Sequence, residues 1–453
     1  MEAGLPISVR VTAFDQYDHT LPESVFAVSL TLDANDHGGT LTGTLSRPTV
    51  GGAVTFPDLR ITRPGHGFVI RATVNAISGG SAPIELPLRL NSISVGNGMA
   101  CGLAPSGDAY CWGRDQAGGL GDGTSGSNRN RPRLVAGNLS FVEVDAGSGS
   151  NVNGIFDGGG CGLTAAGAAY CWGRNDYGQL GNGQTTTSGI PVPVSGQFEF
   201  AAIGMGTWHT CGLTRDGEVY CWGDNRIGQL GNDYRVIAGS SVPIRVADTL
   251  RYDALFVGDL STCGRATTGD LYCWGWAAPT FQSGVPTPVK PLLVPGGIVF
   301  AQAHPGTSLH MCGVGPSNMG YCWGQDYLDG NNLGTAPPGT DQAAPAVVIG
   351  GHQWAYIGAG GSSSCGLRTD SVAMCWGYDY NGEVGQGTPG TGAQAPAVVV
   401  GGLKFTQLAV GHGSSCAVTT TGDVYCWGTG LFGERGDATF DPQAASPRKV
   451  LTP

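Results

Sequence analysis

The stretch Cys211-Gly212-Leu213-Thr214-Arg215-Asp216-Gly217-Glu218-Val219-Tyr220-Cys221-Trp222-Gly223 decides the fold of this 453-residue chain. It has the pattern of a β-hairpin: a short apolar strand, a polar turn and an aromatic-rich return strand. Gly217 supplies the positive φ that a tight turn needs. Asp216 lies midway between Cys211 and Cys221, so the register predicts that the two cysteines face each other.

The same hairpin unit occurs seven times along the chain. Its cysteines pair at a spacing of ten residues: Cys101 with Cys111, Cys161 with Cys171, Cys211 with Cys221, Cys263 with Cys273, Cys312 with Cys322, Cys365 with Cys375, and Cys416 with Cys426. These pairs use all fourteen cysteines of the chain. The second Cys always precedes Trp-Gly, at Trp112, Trp172, Trp222, Trp274, Trp323, Trp376 and Trp427. Such regularity is typical of a repeat architecture.

Each unit carries two further strand candidates beside the hairpin. An apolar run precedes the hairpin, and a run that begins with Pro follows it, as at Pro191–Val194, Pro243–Val246 and Pro288–Val289. A first-position Pro fits an outer edge strand. Four short strands in about 50 residues, repeated seven times, predict a seven-bladed β-propeller over residues 91–453. Ring closure then removes the open ends.

Residues 1–90 contain no Cys or Trp and have a different pattern. Apolar and polar residues alternate from Ile7 to Ala13, and several more short runs follow between Gly, Pro, Asp and Asn. This pattern predicts an all-β sandwich. Through Val9-Arg10-Val11-Thr12-Ala13-Phe14-Asp15 and Gly67-Phe68-Val69-Ile70-Arg71-Ala72 the segment resembles bacterial immunoglobulin-like surface domains. Such domains usually have one more strand before Ala3-Gly4, so we expect an unpaired sheet edge.

The propeller units carry motifs of a known family. Gly173-Arg174-Asn175-Asp176-Tyr177-Gly178-Gln179-Leu180-Gly181-Asn182-Gly183 resembles the repeat of the regulator of chromosome condensation propellers, as does Gly223-Asp224-Asn225-Arg226-Ile227-Gly228-Gln229-Leu230-Gly231-Asn232. The loop Gly275-Trp276-Ala277-Ala278 departs from it. Some members of this family act on small nuclear GTPases, and others are secreted, as are β-lactamase-inhibitor propellers. The resemblance therefore implies the fold, and disulfides favour the secreted type.

Composition excludes several classes of protein. The net charge is −11, there are three lysines and no basic stretch, which argues against a nucleic-acid partner. The sequence contains no run of about 20 apolar residues that could span a membrane. Strictly paired cysteines indicate disulfides and an oxidising compartment. Residues 1–4 lack the features of a signal peptide, so we expect the sequence to be a mature or trimmed form of an exported protein.

The repeated residues have structural and functional interpretations. We expect each disulfide to stabilise its own blade and to do little to join blades, and no Cys remains as a nucleophile. The seven repeated Trp residues fit packing between blades better than a carbohydrate platform. Trp208, Trp276 and Trp354 fall outside the repeat and are the predicted binding residues. The Gly-Gln-Leu-Gly loops predict compact turns that shape one face of the propeller.

Neither a metal site nor a catalytic site emerges from the sequence. His209, His310 and His412 precede hairpins and His304 lies further upstream, without a repeating ligand set. Asp122, Asp224, Asp326 and Asp379 lie in loops and could bind Ca²⁺, but without a D-x-D-x-D-G loop, solvated loop charge is the simpler interpretation. No G-x-S-x-G elbow is followed by a helical pattern, and nothing selects a catalytic carboxylate pair. We predict no cofactor.

These observations predict a non-catalytic, exported protein of bacterial type. Its propeller would bind protein or glycan at the cell surface through divergent loops at residues 122–131, 151–160 and 276–292. The alternative is a repeating subunit of an extracellular filament, in which a strand from another copy completes the N-terminal sandwich. An enzyme is a third possibility and requires a carboxylate or metal cluster in the channel.

Overall fold

The computed structural model describes residues 3–14, 19–21, 25–33, 35, 38–74, 77–147, 151–152, 155–156, 158–276, 280, 290–326, 331–390 and 392–453. The chain divides into two compact units, Leu90–Val450 and Met1–Arg89 with Leu451–Pro453. In the described part, no helix is both long and apolar enough to cross a membrane.

The first unit is built of short antiparallel strands. They are β1 (Ile7–Thr12), β2 (Ala27–Leu32), β3 (Leu41–Thr42), β4 (Ser46–Pro48), β5 (Ala53–Ile61), β6 (Gly65–Phe68), β7 (Ile70–Val74), β8 (Ile77–Gly80) and β9 (Ile84–Leu86). Three sheets have the orders β1-β5-β3, β4-β2-β7-β8 and β6-β9. Apolar side chains of all three sheets meet in one core, which includes Phe56, Leu30 and Leu86.

In the middle of strand β5, the alternation of buried residues shifts by one position. Val54 and Phe56 are buried before Pro57, and Leu59 and Ile61 are buried after it. The pairing with β1 shifts there, since Val9 faces Phe56 and Ile7 faces Leu59. One extra residue in β5 restores the inward direction of its apolar side chains, which is the effect of a β-bulge. Pro57 is tolerated at this position because a bulge frees it from the hydrogen-bond ladder.

In its described residues, the second unit contains seven four-stranded antiparallel sheets of the propeller-blade type. Sheets 1 to 3 comprise β10 (Ser92–Val95), β11 (Met99–Leu103), β12 (Ala109–Gly113), β13 (Arg129–Leu134); β14 (Phe141–Ala146), β17 (Gly159–Thr164), β18 (Ala169–Gly173), β19 (Ser188–Pro193), with β15 (Asn151–Val152) and β16 (Ile155–Phe156) as a separate hairpin; and β20 (Phe200–Met205), β21 (His209–Thr214), β22 (Val219–Asp224), β23 (Gly239–Arg245).

Sheets 4 to 7 continue the same pattern. They comprise β24 (Tyr252–Val257), β25 (Ser261–Ala266), β26 (Leu271–Gly275), β27 (Leu292–Leu293); β28 (Gln302–Pro305), β29 (His310–Val314), β30 (Gly320–Gly324), β31 (Gln342–Val347); β32 (Trp354–Ala359), β33 (Ser363–Arg368), β34 (Ala373–Gly377), β35 (Ala393–Val398); and β36 (Phe405–Val410), β37 (Ser414–Thr419), β38 (Val424–Thr429), β39 (Gln443–Lys449). A 3-10 turn, Pro316–Asn318, links β29 to β30.

The hairpin register follows the sequence pattern. Cys211 pairs directly with Cys221 in β21 and β22, and their Cα atoms are 4.1 Å apart. The ladder with β23 shifts between Cys221 and Gly223. Gly223 has φ +105°, and a Cβ there would lie 2.3 Å from the carbonyl oxygen of Trp208, so only glycine fits.

The fourth strands differ from the prediction at their start. β19 begins at Ser188 and β23 at Gly239, whereas the sequence predicts strands that begin at Pro191 and Pro243. The prolines lie inside these strands at the outer edge, where the missing N–H faces no partner strand. The predicted strand Pro288–Val289 lies outside the described residues, and β27 is the observed fourth strand of sheet 4.

From sheet 1 to sheet 7, successive sheets pack face to face through apolar clusters. Trp222 of sheet 3, for example, packs with Cys161, Leu163 and Leu180 of sheet 2. Sheet 7 also contacts sheet 1. The Ile93 N–H of sheet 1 donates a hydrogen bond to Gln407 Oε1 of sheet 7 at 3.0 Å. The first and last described sheets of this unit are therefore in contact with each other.

Candidate functional site

All fourteen cysteines form disulfides within their own hairpins, and all are fully buried. The seven bridges join Cys101 to Cys111, Cys161 to Cys171, Cys211 to Cys221, Cys263 to Cys273, Cys312 to Cys322, Cys365 to Cys375, and Cys416 to Cys426. Each bridge thus links the second and third strands of one sheet, at the directly opposed positions that the ten-residue spacing predicts.

The cystine sulfur atoms also contact the next sheet. Cys211 Sγ lies 3.6 Å from Thr262 Oγ1, and Cys365 Sγ lies 3.5 Å from Ser415 Oγ. In another junction, Cys161 Sγ lies 3.8 Å from the sulfur of Met205. The covalent bridges thus lie within single sheets, as expected, and the cystine side chains also pack at the junctions between sheets.

The seven repeated Trp residues are also fully buried at the sheet junctions. Six of their indole N–H groups donate to a backbone carbonyl of the preceding sheet: Trp112 to Glu434 (2.9 Å), Trp172 to Gly119 (3.0 Å), Trp222 to Gln179 (2.9 Å), Trp274 to Gln229 (3.1 Å), Trp376 to Asn332 (3.1 Å) and Trp427 to Glu383 (3.0 Å). They pack between blades, as predicted, and offer no platform to a carbohydrate.

The acceptor carbonyls all lie in the Gly-Gln-Leu-Gly loops or their equivalents. In sheet 2 the loop is held by Asn175, whose Oδ1 accepts the Leu180 N–H at 2.9 Å. Gly181 has φ +69°, and a Cβ there would lie 2.6 Å from the Trp222 indole nitrogen. The sequence analysis predicts that these turns shape one face of the propeller. It does not predict that their carbonyl groups accept hydrogen bonds at the sheet junctions. A signal for it exists, since the loop and the Trp-Gly pair repeat together.

The three Trp residues outside the repeat have different environments. Trp276 is 40% exposed. Trp208 is half-buried, and its ring lies 6.3 Å from that of Tyr177 in an edge arrangement. Its indole nitrogen has no hydrogen-bond partner in the part of the chain that the structure describes. Trp354 is 1% exposed and packs on Trp376 at 5.7 Å. The prediction of Trp354 as a binding residue is corrected, because it occupies the core position that Phe or Tyr occupies in sheets 2 to 5 and 7.

Exposed aromatic side chains gather at one end of the second unit. In an antiparallel sheet, the loops after the first and third strands lie at the same end. We call this end, formed by those loops of all seven sheets, the aromatic end. It carries the exposed residues Trp276, Tyr378, Tyr380, Leu431 and Phe440, as well as Tyr177, Trp208 and Phe432. Exposed apolar residues of the opposite end, such as Val142, Val299 and Met319, are aliphatic.

Arginines lie against two aromatic rings of the aromatic end. The guanidinium carbon of Arg114 is 3.3 Å from the centre of the Phe432 ring, and that of Arg226 is 4.7 Å from the centre of the Tyr177 ring. Cation–π contacts of this kind hold aromatic side chains in fixed positions. They bridge neighbouring sheets, from sheet 7 to 1 and from sheet 2 to 3.

The loop carboxylates are structural. Asp224, Asp326 and Asp379 are 3–4% exposed, and Asp122 is almost as buried. Asp379 Oδ1 accepts the Val384 N–H at 2.8 Å, and Asp326 Oδ2 accepts the Gly339 N–H at 2.7 Å. Their interpretation as solvated loop charge is wrong, since they fix the loops from inside. Within the described ranges no three His, Cys, Asp or Glu side chains form a group that could hold a metal.

Two of the histidines join sheets. His209 Nε2 lies 2.8 Å from Thr262 Oγ1, and His310 Nε2 lies 3.1 Å from Ser364 Oγ. Both side chains are fully buried. Burial lowers the pKa of His209 to about 3 and that of His310 to about 4, so both are neutral at physiological pH. His412 Nδ1 lies 3.2 Å from Thr307 Oγ1.

A cavity of about 400 Å³ lies among the first strands of all seven sheets. We call it the central cavity. Glu143, Asp145, His304 and Tyr356 line it. Burial and the charge of Asp145 raise the pKa of Glu143 to about 7, and burial raises that of Asp145.

A separate apolar groove lies within the first unit. Its wall includes Val9 and Val11 of β1, Val28 and Leu30 of β2, and Ile70 of β7. β1 is an edge strand, since its one partner among the described strands is β5. The groove therefore combines an apolar floor with unpaired strand backbone.

Comparison with known proteins agrees with this architecture. Two models of the regulator of chromosome condensation (RCC1) repeat match the chain, one at residues 106–152, 166–213 and 216–255, the other at residues 200–229 and 405–434. The RCC1 domain-containing protein RUG3, mitochondrial, of Arabidopsis thaliana is 28% identical over 388 residues, covering 78% of this chain and 83% of RUG3. The human probable E3 ubiquitin-protein ligase HERC4 is 32% identical over 113 residues, covering 23% of this chain and 10% of HERC4.

The fold is also found in solved structures. Prp20p of Saccharomyces cerevisiae matches with a TM-score of 0.65 at 20% identity, covering 80% of this chain and 87% of that chain. The structure shares with it an all-β fold of propeller blades. The chain carries RCC1 repeats, and its homologues are RCC1-like β-propeller proteins.

Proposed function

We propose that this protein is an exported, non-catalytic binding protein whose seven sheets close into a seven-bladed propeller. The aromatic end is its binding surface for protein or glycan. The observation that carries the proposal is the asymmetry between the two ends: Trp276, Tyr380 and Phe440 are 40–64% exposed at one end, and the opposite end has aliphatic residues. Exposed aromatic side chains contribute large contact areas at low entropic cost, which suits recognition.

The scaffold below this surface supports binding by pre-organisation. Disulfides, Trp–carbonyl hydrogen bonds and arginine–aromatic contacts fix the positions of neighbouring loops. A rigid surface loses less conformational entropy on binding. Prp20p, which has a similar fold, binds Gsp1p and histones, so this fold serves protein binding there. We propose that this chain also uses the fold for binding, but we do not propose that it binds the same partners.

The disulfides support export. All fourteen thiols are paired, and such bonds persist in oxidising compartments. The net charge of −11 favours a partner other than nucleic acid, because the phosphate backbone is itself negative. We further propose that the first unit is an immunoglobulin-like sandwich and that the protein acts at a bacterial cell surface.

The test compares the two ends of the second unit. The purified chain is applied to a glycan array and to extracellular proteins, with the double variants Trp276→Ala/Tyr380→Ala and Val299→Ala/Met319→Ala. We expect the aromatic-end variant to lose binding and the control, at the opposite end, to keep it. Equal binding by both variants would reject the aromatic end as the binding surface.

A second candidate function rests on the groove of the first unit. There, an extended strand from another copy of the chain would pair with β1 and bury its apolar side chains against Val11, Leu30 and Ile70. Copies joined in this way would form a filament. Light scattering at increasing concentration tests it. Assembly should stop in Val11→Lys and persist in Arg10→Lys, whose side chain lies on the opposite face of β1.

A further inference from the structure

The central cavity has an unbalanced charge. Its carboxylates are those of Glu143, Asp145 and Asp259, and no Lys or Arg is among its described lining residues. Its volume of about 400 Å³ is that of a small-molecule site. An acidic cavity of this size without a cation in its wall is costly to keep ionised.

The Asp145 carboxylate of β14 is held by neutral donors. Asp145 Oδ1 accepts the Ser94 hydroxyl at 2.6 Å, and its Oδ2 accepts the Met205 N–H at 2.8 Å. These bonds orient Asp145 from sheets 1 and 3 but leave its negative charge uncompensated. Burial raises the pKa of both β14 carboxyls, Asp145 and Glu143, that of Glu143 to about 7.

Aromatic rings form another part of the wall. The rings of His304 and Tyr356, which both line the cavity, are 4.6 Å apart. Tyr356 and Asp145 both line the cavity, and burial and the charge of Asp145 raise the pKa of Tyr356. Burial lowers the pKa of His304 to about 4, so this ring adds no positive charge at neutral pH.

We propose that the central cavity binds a small organic ammonium ion, with its charge toward Glu143 and Asp145 and its alkyl groups against Tyr356. Carboxylates supply the counter-charge and aromatic faces attract alkylammonium groups. A divalent metal ion is less suited, because the described residues provide no group of three ligands. Glu143, Asp145 and Tyr356 lie in first strands, whereas the exposed aromatic side chains of the aromatic end lie in loops, so the two sites use different residues.

Calorimetry with choline tests the proposal on the unmodified protein. The control ligand is its neutral isostere, in which a tert-butyl group replaces the trimethylammonium group. We expect choline to bind and the isostere to bind at least about tenfold more weakly, because the electrostatic attraction between the ammonium group and the carboxylates is lost. At pH 7, choline binding should also release protons, since a bound cation lowers the pKa of Glu143, and titrations in two buffers of different ionisation enthalpy measure this release.

Variants then locate the site. Glu143→Gln and Asp145→Asn keep the acceptor oxygens but remove the charges, and each should weaken choline binding by about tenfold. Glu199→Gln removes an exposed carboxylate elsewhere and should leave binding unchanged. Absence of choline binding, equal binding of the isostere, competition by Na⁺ or Ca²⁺ at equal concentration, or unchanged binding in both cavity variants would overturn the proposal.

Discussion

The indole nitrogen of Trp222 lies 2.9 Å from the carbonyl oxygen of Gln179 in the preceding sheet, and the Thr210 hydroxyl lies 2.8 Å from the same oxygen. One loop carbonyl thus accepts two donors from the next sheet. Asn175 fixes this loop, because its Oδ1 accepts a hydrogen bond from the Leu180 N–H. Similar bonds recur around the unit, including from sheet 1 to sheet 7, so each loop aligns two blades at once.

Replacement of Trp222 by Phe removes the donor and leaves a void at the junction. We expect Trp222→Phe to lower the free energy of unfolding by about 2 kcal/mol, from the lost hydrogen bond and lost packing. Chemical denaturation monitored by circular dichroism measures it. The matched control is Trp276→Phe, at a 40% exposed position, which should change stability by less than about 0.5 kcal/mol. Equal effects of the two changes would contradict the junction role of Trp222.

Gly181 and Gly183 separate backbone strain from contact with the indole ring. Both have positive φ, +69° and +80°, so an Ala at either position costs roughly 1–2 kcal/mol in the backbone. A Cβ at Gly181 would lie 2.6 Å from Trp222 Nε1, whereas at Gly183 its nearest neighbour is 3.7 Å away. We therefore expect Gly181→Ala to be more destabilising than Gly183→Ala by about 1–3 kcal/mol. Thermal denaturation compares them, and equal midpoints would be inconsistent with the close contact.

Much of the second unit could be predicted from its sequence. Ten-residue Cys spacing about a Gly turn fixes the hairpin register, and Cys211 does pair with Cys221. Strand limits were less predictable, because Pro191 and Pro243 lie inside edge strands that hydrogen-bond on one side only. The shift in β5 at Pro57 was also not predictable, since a bulge interrupts the alternation that sequence analysis relies on.

The site was less predictable than the fold. Trp354 lies outside the Trp-Gly pattern, which favours a binding residue, yet it fills an aromatic core position of the first strand. The central cavity brings Asp145 and Tyr356 together from sheets 2 and 6, and only the arrangement of the sheets reveals that proximity. Asp379 fixes its loop by accepting a hydrogen bond from the Val384 N–H, and a pattern of side chains in the sequence does not predict such a backbone contact.

The buried disulfides predict protection from reagents. We expect native protein to show no alkylation by iodoacetamide in mass spectrometry, and the reduced, denatured chain to show fourteen modifications. Removal of one bridge by the double change Cys211→Ala/Cys221→Ala should lower stability by about 2–3 kcal/mol, the loop-entropy value for a bridge that closes ten residues. Free thiols in native protein from its own source would contradict both the pairing and the export that we infer from it.

The two histidines at the sheet junctions predict acid sensitivity. Folding keeps His209 and His310 neutral, since burial lowers their pKa values from the ordinary 6.5 to about 3 and about 4. The unfolded chain therefore binds more protons, and the stability due to neutral burial is complete above pH 6.5 and is lost as pH falls toward 4. Among the described residues, the Nδ1 atom of His209 has no hydrogen-bond partner, so a proton added there would lack an acceptor.

The double variant His209→Gln/His310→Gln tests this pH dependence. A Gln amide can still bond to Thr262 and Ser364, but it does not titrate. We expect the variant to be less stable than the unmodified protein at pH 7, because the fit at the junctions is poorer, yet to lose less stability between about pH 7 and pH 4. Urea denaturation at several pH values gives both slopes. His352→Gln, at a half-buried position away from these junction contacts, should keep the original slope, and an unchanged slope in the double variant would mean that other groups cause the acid sensitivity.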